Sequence, residues 1–164
     1  MKQSRRQHLA LLGGTAFSAL VPNVVLADGH AQTYEVLMLN RDPENKKETQ
    51  VFVPPVLRVN VGDTVKFISA DPAHNSQVDK KLMPAGGDEW KGRIGKDVDV
   101  TFTVEGAYGY QCQPHASAGM VGLVLVGDVS GNYEDIKGGR FRGKAKKRYE
   151  AYFAMADEML AAEA

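Results

Sequence analysis

One cysteine in 164 residues excludes an internal disulfide framework. Cys112 is therefore a buried thiol, a reactive thiol, an intermolecular partner or a metal ligand. A surplus of charge is missing too: 20 basic side chains face 20 acidic ones, which argues against a nucleic-acid binder. Beyond Leu26 no apolar run is long enough to cross a bilayer. No internal repeat is visible, so repeat architectures drop out. What is present is the make-up of a soluble globular chain, 43% hydrophobic and 24% charged, of a length that suits one core.

Residues 1–27 read as an export signal rather than as part of the fold. A basic start (Lys2, Arg5, Arg6) leads into a mostly apolar stretch from Leu9 to Leu26, and Val25-Leu26-Ala27 offers a peptidase site before Asp28. Pro22 and Gly13-Gly14 make this stretch a poor membrane-spanning helix. Ser4-Arg5-Arg6-Gln7-His8-Leu9 resembles the twin-arginine (Tat) signal, with His8 where that pattern prefers Phe. Of the 20 basic residues, loss of Lys2, Arg5 and Arg6 leaves 17 against 20 acidic, a net of −3. The expectation is a periplasmic protein, residues 28–164, without membrane insertion.

From Thr33 to Val126 the punctuation is that of short strands. Val98, Val100, Phe102 and Val104 alternate with Asp99, Thr101 and Thr103, which marks a strand with one buried face. Val56–Val59 and Thr64–Ile68 flank Gly62-Asp63, a turn signal that predicts neighbouring strands. Tyr34–Leu39, Tyr108–Cys112 and Met120–Val126 are further strands, and the set favours a mainly β sandwich. A helical tail follows from about residue 132. Tyr133–Lys137 makes a short helix stopped by Gly138-Gly139. Ala145, Tyr149, Tyr152, Phe153, Ala156, Met159 and Leu160 then trace one apolar helical stripe, expected to pack on the sandwich. The basic run Lys144, Lys146, Lys147 and Arg148 lies mostly off that stripe and reads as a solvated face.

The segment from Cys112 to Met120 carries most of the chemistry. It holds Cys112, His115 and Met120 as C-x₂-H-x₄-M just after a strand, with His74 upstream as a fourth donor. Two imidazoles and a thiolate with a weak thioether are the ligand set of a blue-copper site. Soft sulfur suits Cu(I) and imidazole suits both oxidation states, so a stiff scaffold holding the mixture accepts either with little rearrangement. Singly, a free Cys or a Met is more often an apolar core residue, and a loop His is usually just exposed. Four complementary donors at this spacing are another matter. Asn75 is placed to bridge its loop to the cysteine loop, and Pro114 to stiffen the turn and remove a backbone donor near the sulfur. His30 sits near the expected new terminus and is not counted as a ligand.

On these residues the chain resembles the cupredoxins, and within them the pseudoazurins. Tyr34–Asn40, Val61–Ile68, His74-Asn75, Met83-Pro84, Gly106–Tyr110 and Met120–Gly122 carry the likeness, together with the two C-terminal helices that plastocyanin-like proteins lack. The resemblance implies an eight-stranded Greek-key cupredoxin sandwich with two C-terminal α-helices and one copper ion near one end. It implies a one-electron carrier cycling Cu(II)/Cu(I), not an enzyme, with His115 as the electron port. Pro114, Ala116, Met83 and Pro84 would form an apolar rim, and Lys46, Lys47, Lys80, Lys81, Lys91 and Arg93 would greet acidic partners. Partners in the family include copper nitrite reductase, nitrous oxide reductase and c-type cytochromes, met by a monomer. The loop departs from the pseudoazurin pattern at Gln113, Ala116 and Ala118, where it reads more like plastocyanin.

Two rivals are open at this level. A copper-binding and delivery protein would want an exchangeable site with extra Met or His donors, for which the mature chain offers His30. An enzyme would need a second copper with several histidines, and His30 alone is left once the four donors are assigned. Zinc also suits imidazole and thiolate, but is redox-inert.

Overall fold

Apolar and polar side chains alternate along several strands, and in the computed structural model that alternation becomes two sheets closed over a core. Residues 31–163 are described. The export signal, its cleavage point and His30 lie outside them. The strands are β1 (Thr33–Arg41), β2 (Thr49–Val53), β3 (Val56–Val59), β4 (Thr64–Ile68), β5 (Gln77–Val78), β6 (Val98–Thr101), β7 (Gly106–Gln111) and β8 (Val121–Val126). Helices α1 (Tyr133–Lys137) and α2 (Gly143–Ala162) follow. One four-stranded sheet has the order β2-β1-β4-β6, the other β3-β8-β7-β5.

The inner faces meet in an aromatic core. Val36 and Met38 from β1, Val65 and Phe67 from β4, and Tyr108 and Tyr110 from β7 are buried in one cluster with Phe52, Trp90 and Phe102. Phe67 stacks on Trp90 at 5.6 Å and meets Tyr110 edge-on at 5.0 Å, geometries that add to the area these rings bury. Cys112 and Met120 belong to the same cluster. The end of the core that holds Cys112 and Met120 is thus continuous with its aromatic cluster.

Strand β8 is buried at all six positions because both its faces are covered. Val124 and Val126 face the aromatic core, while Val121, Leu123 and Leu125 lie under α1 and α2. A strand covered on both sides reads as a continuous apolar run rather than an alternation. Gly122 is required here, since a Cβ would stand 2.4 Å from the Tyr110 ring. Helix α2 closes the outer face with the expected stripe: Tyr149, Phe153 and Ala156 are buried, and Ala145, Tyr152, Met159 and Leu160 pack beside them.

The Gly62-Asp63 turn corrects one expectation. It does not join a hairpin. β3 pairs parallel with β8 in one sheet, and β4 pairs parallel with β1 in the other. The chain crosses between sheets at this turn, which is pinned instead by Asp63: its carboxylate accepts from the Asn60 and Gln32 backbone N–H groups, both at 2.7 Å. The alternating run from Val98 also stops early, at Thr101. Thr103 and Val104 turn their N–H groups to the Asp88 carboxylate, and Phe102 donates to the Asp63 carbonyl at 2.9 Å.

Candidate metal centre

The ligand loop leaves β7 at Cys112 and returns to β8 at Met120, with a 3-10 helix over Gln113–Ala118 between them. Pro114 lies in the first turn of that segment, where its fixed φ suits the tight winding and its missing N–H costs nothing. The loop ends on Gly119 at φ 89°, a left-handed conformation that a residue with a Cβ adopts only under strain. Backbone bonds close it: Cys112 N–H to Met120 O at 2.9 Å, His115 N–H to Cys112 O at 3.1 Å and Met120 N–H to His115 O at 3.0 Å. Met120 is therefore tied through its own peptide to the two donors beside it.

His74 reaches the same point from the segment between β4 and β5, after a turn at Ala73 with φ 70°. Its Nδ1 stands 3.1 Å from His115 Nδ1 and 3.7 Å from Cys112 Sγ. His115 Nδ1 is 3.5 Å from that sulfur. A triangle with these edges has its centre about 2.0 Å from each corner, close to the bond lengths that imidazole and thiolate make to a first-row divalent metal. The donor set fits copper by chemistry as well as by spacing. Met120 is fully buried beside Cys112 and supplies the thioether.

Neighbouring groups hold these donors. His74 Nε2 lies 3.0 Å from Asn40 Oδ1. The carbonyl accepts, which places the proton on Nε2 and leaves Nδ1 bare toward the centre. Burial lowers the pKa of His74 first, the neighbouring His115 lowers it further, and Asp71 opposes both. A neutral imidazole, ready to bind, results. Burial likewise raises the Cys112 thiol, while backbone N–H groups of Asn75 and His115 pull it back; metal binding displaces that proton. Asn75 is 1% exposed. Its Oδ1 accepts from Gln113 N–H at 2.8 Å and its Nδ2 donates to the Gly92 carbonyl at 3.0 Å. Asn75→Ala strands both backbone groups and is expected to cost about 2–3 kcal/mol, read by chemical denaturation of the metal-free protein.

The expected docking residues divide. Pro114 is exposed and His115 and Ala116 are half-buried, together at the copper end. Lys46 and Lys47 are exposed on the β1–β2 connection, and Lys47 lines a concavity with Ala118 of the ligand loop. Met83 and Pro84 do not join them. Pro84 packs where a Cβ on Gly106 would sit, at the start of β7. Cys112 lies six residues further on, about 20 Å along the strand. Met83 is half-buried against the aromatic core. Lys80 and Lys81 flank a cavity of about 590 Å³ along the β5–β7 edge, and Lys80 pairs there with Glu89. Lys91 and Arg93 are nearer the centre, on the segment whose Gly92 and Gly95 N–H groups bond the Ser76 and His74 carbonyls.

Two residues near the centre carried no signal of that role. Asn40 closes the first strand, and only the parallel β1–β4 pairing brings it to His74. Arg148 stood in a basic run read as solvated. Its side chain is 13% exposed and bonds the ligand loop at Gly119 O.

Two four-stranded sheets with two imidazoles, a thiolate and a thioether gathered at one end define a cupredoxin with a type 1 copper site. Residues 41–127 match the family described as copper binding proteins, plastocyanin/azurin family. The pseudoazurin of Paracoccus pantotrophus is 38% identical over 128 residues, 78% of this chain and 86% of that one. A chloroplastic plastocyanin of Oryza sativa subsp. indica is 36% identical over 129 residues, covering 74% and 80% of the two chains. The crystal structure of pseudoazurin from Methylobacterium extorquens AM1 superposes with a TM-score of 0.70 at 37% identity, covering 76% of this chain and 98% of that one. The chain belongs to the plastocyanin/azurin family and, within it, to the pseudoazurins. It is accordingly a copper-binding electron carrier and not an enzyme.

Proposed function

We propose that this chain works in the periplasm as a monomeric one-electron carrier, exported through the twin-arginine signal at residues 1–27 and delivering to a respiratory enzyme. Copper nitrite reductase, nitrous oxide reductase and c-type cytochromes are the candidate partners. When bound, copper supplies a single-electron couple between Cu(II) and Cu(I). His74, Cys112, His115 and Met120 hold it, while Asn75 and Pro114 keep the two loops from moving between states. The reading is carried chiefly by the donor triangle, with one corner, His115, half-buried at the surface and the others buried. Among the described residues no helix is long and apolar enough to cross a membrane.

Partner recognition is assigned to the copper end: Pro114 and Ala116 as apolar contact, Lys46 and Lys47 as charge, with Lys91 and Arg93 beside them. Lys80 and Lys81 are kept as a flank of this patch, and Met83 and Pro84 are released from it. Reduced protein mixed with copper nitrite reductase in a stopped-flow instrument tests the assignment. Reversing Lys46 and Lys47 together to Glu is expected to slow the second-order step about tenfold at low salt, and the gap should close as salt screens the charges. Met83→Ala should match wild type. Equal rates for the charge-reversed protein, or a slow Met83→Ala, would move the docking surface elsewhere.

A further inference from the structure

The Arg148 guanidinium makes four hydrogen bonds to two separate parts of the chain outside its own helix. Nη1 donates to Gly119 O at 2.7 Å and Gln50 O at 2.5 Å. Nη2 donates to Thr49 O at 2.6 Å and Glu48 Oε2 at 2.8 Å. Helix α2, the β1–β2 hairpin and the ligand loop are thus joined by one planar group. The Gly119 carbonyl belongs to the peptide that leads into Met120. On the other side of that glycine, a Cβ would meet Lys144 Cβ at 3.0 Å, so the start of α2 also backs the loop directly. Gln50 is held at φ 56°, an unfavourable conformation for a residue with a side chain, and in it Thr49 and Gln50 turn consecutive carbonyls to the same guanidinium.

From this clamp we infer that Arg148 is a positioning residue for the copper site, setting the reach of the Met120 thioether by fixing the Gly119–Met120 peptide against the hairpin. The inference rests on the carrier reading and adds a role for the tail that packing alone does not require. Charge is a secondary matter, since Glu48 faces the guanidinium. Geometry is the issue. A lysine in this place brings a point charge and no planar fork, so it cannot serve Gly119, Gln50 and Thr49 together.

The experiment compares Arg148→Lys and Arg148→Ala with Arg58→Ala. Arg58 ties the far end of α2, through Glu163, to the Gly127 carbonyl, so its loss loosens the tail without touching the loop. Both Arg148 variants are expected to alter the ratio of the two visible charge-transfer bands and to weaken copper binding on the order of tenfold. In a Met120→Leu background the same substitutions should leave the band ratio alone, because the coupling runs through the thioether. In the metal-free protein, amide exchange at Gly119 and Met120 should quicken about tenfold in Arg148→Ala and stay at the wild-type rate in Arg58→Ala. Arg148 variants that track Arg58→Ala in all three readings, or a band shift undiminished by Met120→Leu, overturn the positioning role. A wild-type protein that takes up copper and stays colourless overturns the carrier reading alone, and the clamp is then judged by the exchange rates of the metal-free protein.

Discussion

Cys112→Ser removes the intense visible band of the copper-loaded protein, with a fall of tenfold or more expected at its maximum. The sulfur is 3.5 and 3.7 Å from the two imidazole nitrogens, so it forms one corner of the triangle and is the softest donor in it. A serine hydroxyl is a hard donor that stays protonated near neutral pH, and it supplies no thiolate electrons for charge transfer. Met120→Leu should behave differently. The thioether is the weak donor, so its loss shifts the band and the potential and leaves the colour. Folding should survive in both. Cys112 is fully buried, and a serine there costs about 1–3 kcal/mol as a buried hydroxyl short of partners. A spectrum taken after copper loading, with circular dichroism to confirm folding, decides. A blue Cys112→Ser protein, or a wild type that binds Cu(II) without colour, would remove the type 1 site and bring copper delivery forward.

The four donors were legible because three sit within nine residues, and because thiolate, imidazole and thioether are of complementary softness, a combination no ordinary loop needs. Their arrangement was not legible. Asn40 reaches His74 only through parallel pairing between strands separated by two others in the chain, and local pattern carries no trace of such pairing. The Met83-Pro84 turn shows the complementary case. An apolar pair in a loop looks the same whether it rims a metal or packs elsewhere on the sandwich, and only the packing of Pro84 against Gly106 places it. Strands with one solvated face were visible as alternation. β2 and the two-residue β5 were not, being short and lacking that alternation. Arg148 was hidden by its neighbours: in a run of four basic residues, nothing in composition marks the one whose fork is spent on backbone carbonyls.

Helix α2 thereby has two roles that mutation should separate. Phe153 is 4% exposed and lies against Tyr133, Phe141 and Tyr149, each with ring centroids 5.9 Å away. Phe153→Ala is expected to cost about 3–5 kcal/mol, the transfer term of a buried ring plus the cavity left behind. The cavity cannot collapse easily, because the floor beneath it is β8, whose other face is packed on the aromatic core. Chemical denaturation of the metal-free protein measures the loss, and a cost under about 1 kcal/mol would show the tail to be a loosely held appendage. Well below its lowered transition, the Phe153→Ala protein loaded with copper should keep the wild-type band ratio. The clamp at Arg148 lies one and a half turns nearer the helix start and bonds the hairpin and loop directly. Phe153 holds the helix on; Arg148 transmits its position to the metal. If Phe153→Ala also shifted the bands, packing along the whole helix, rather than one guanidinium, would be setting the position of Met120.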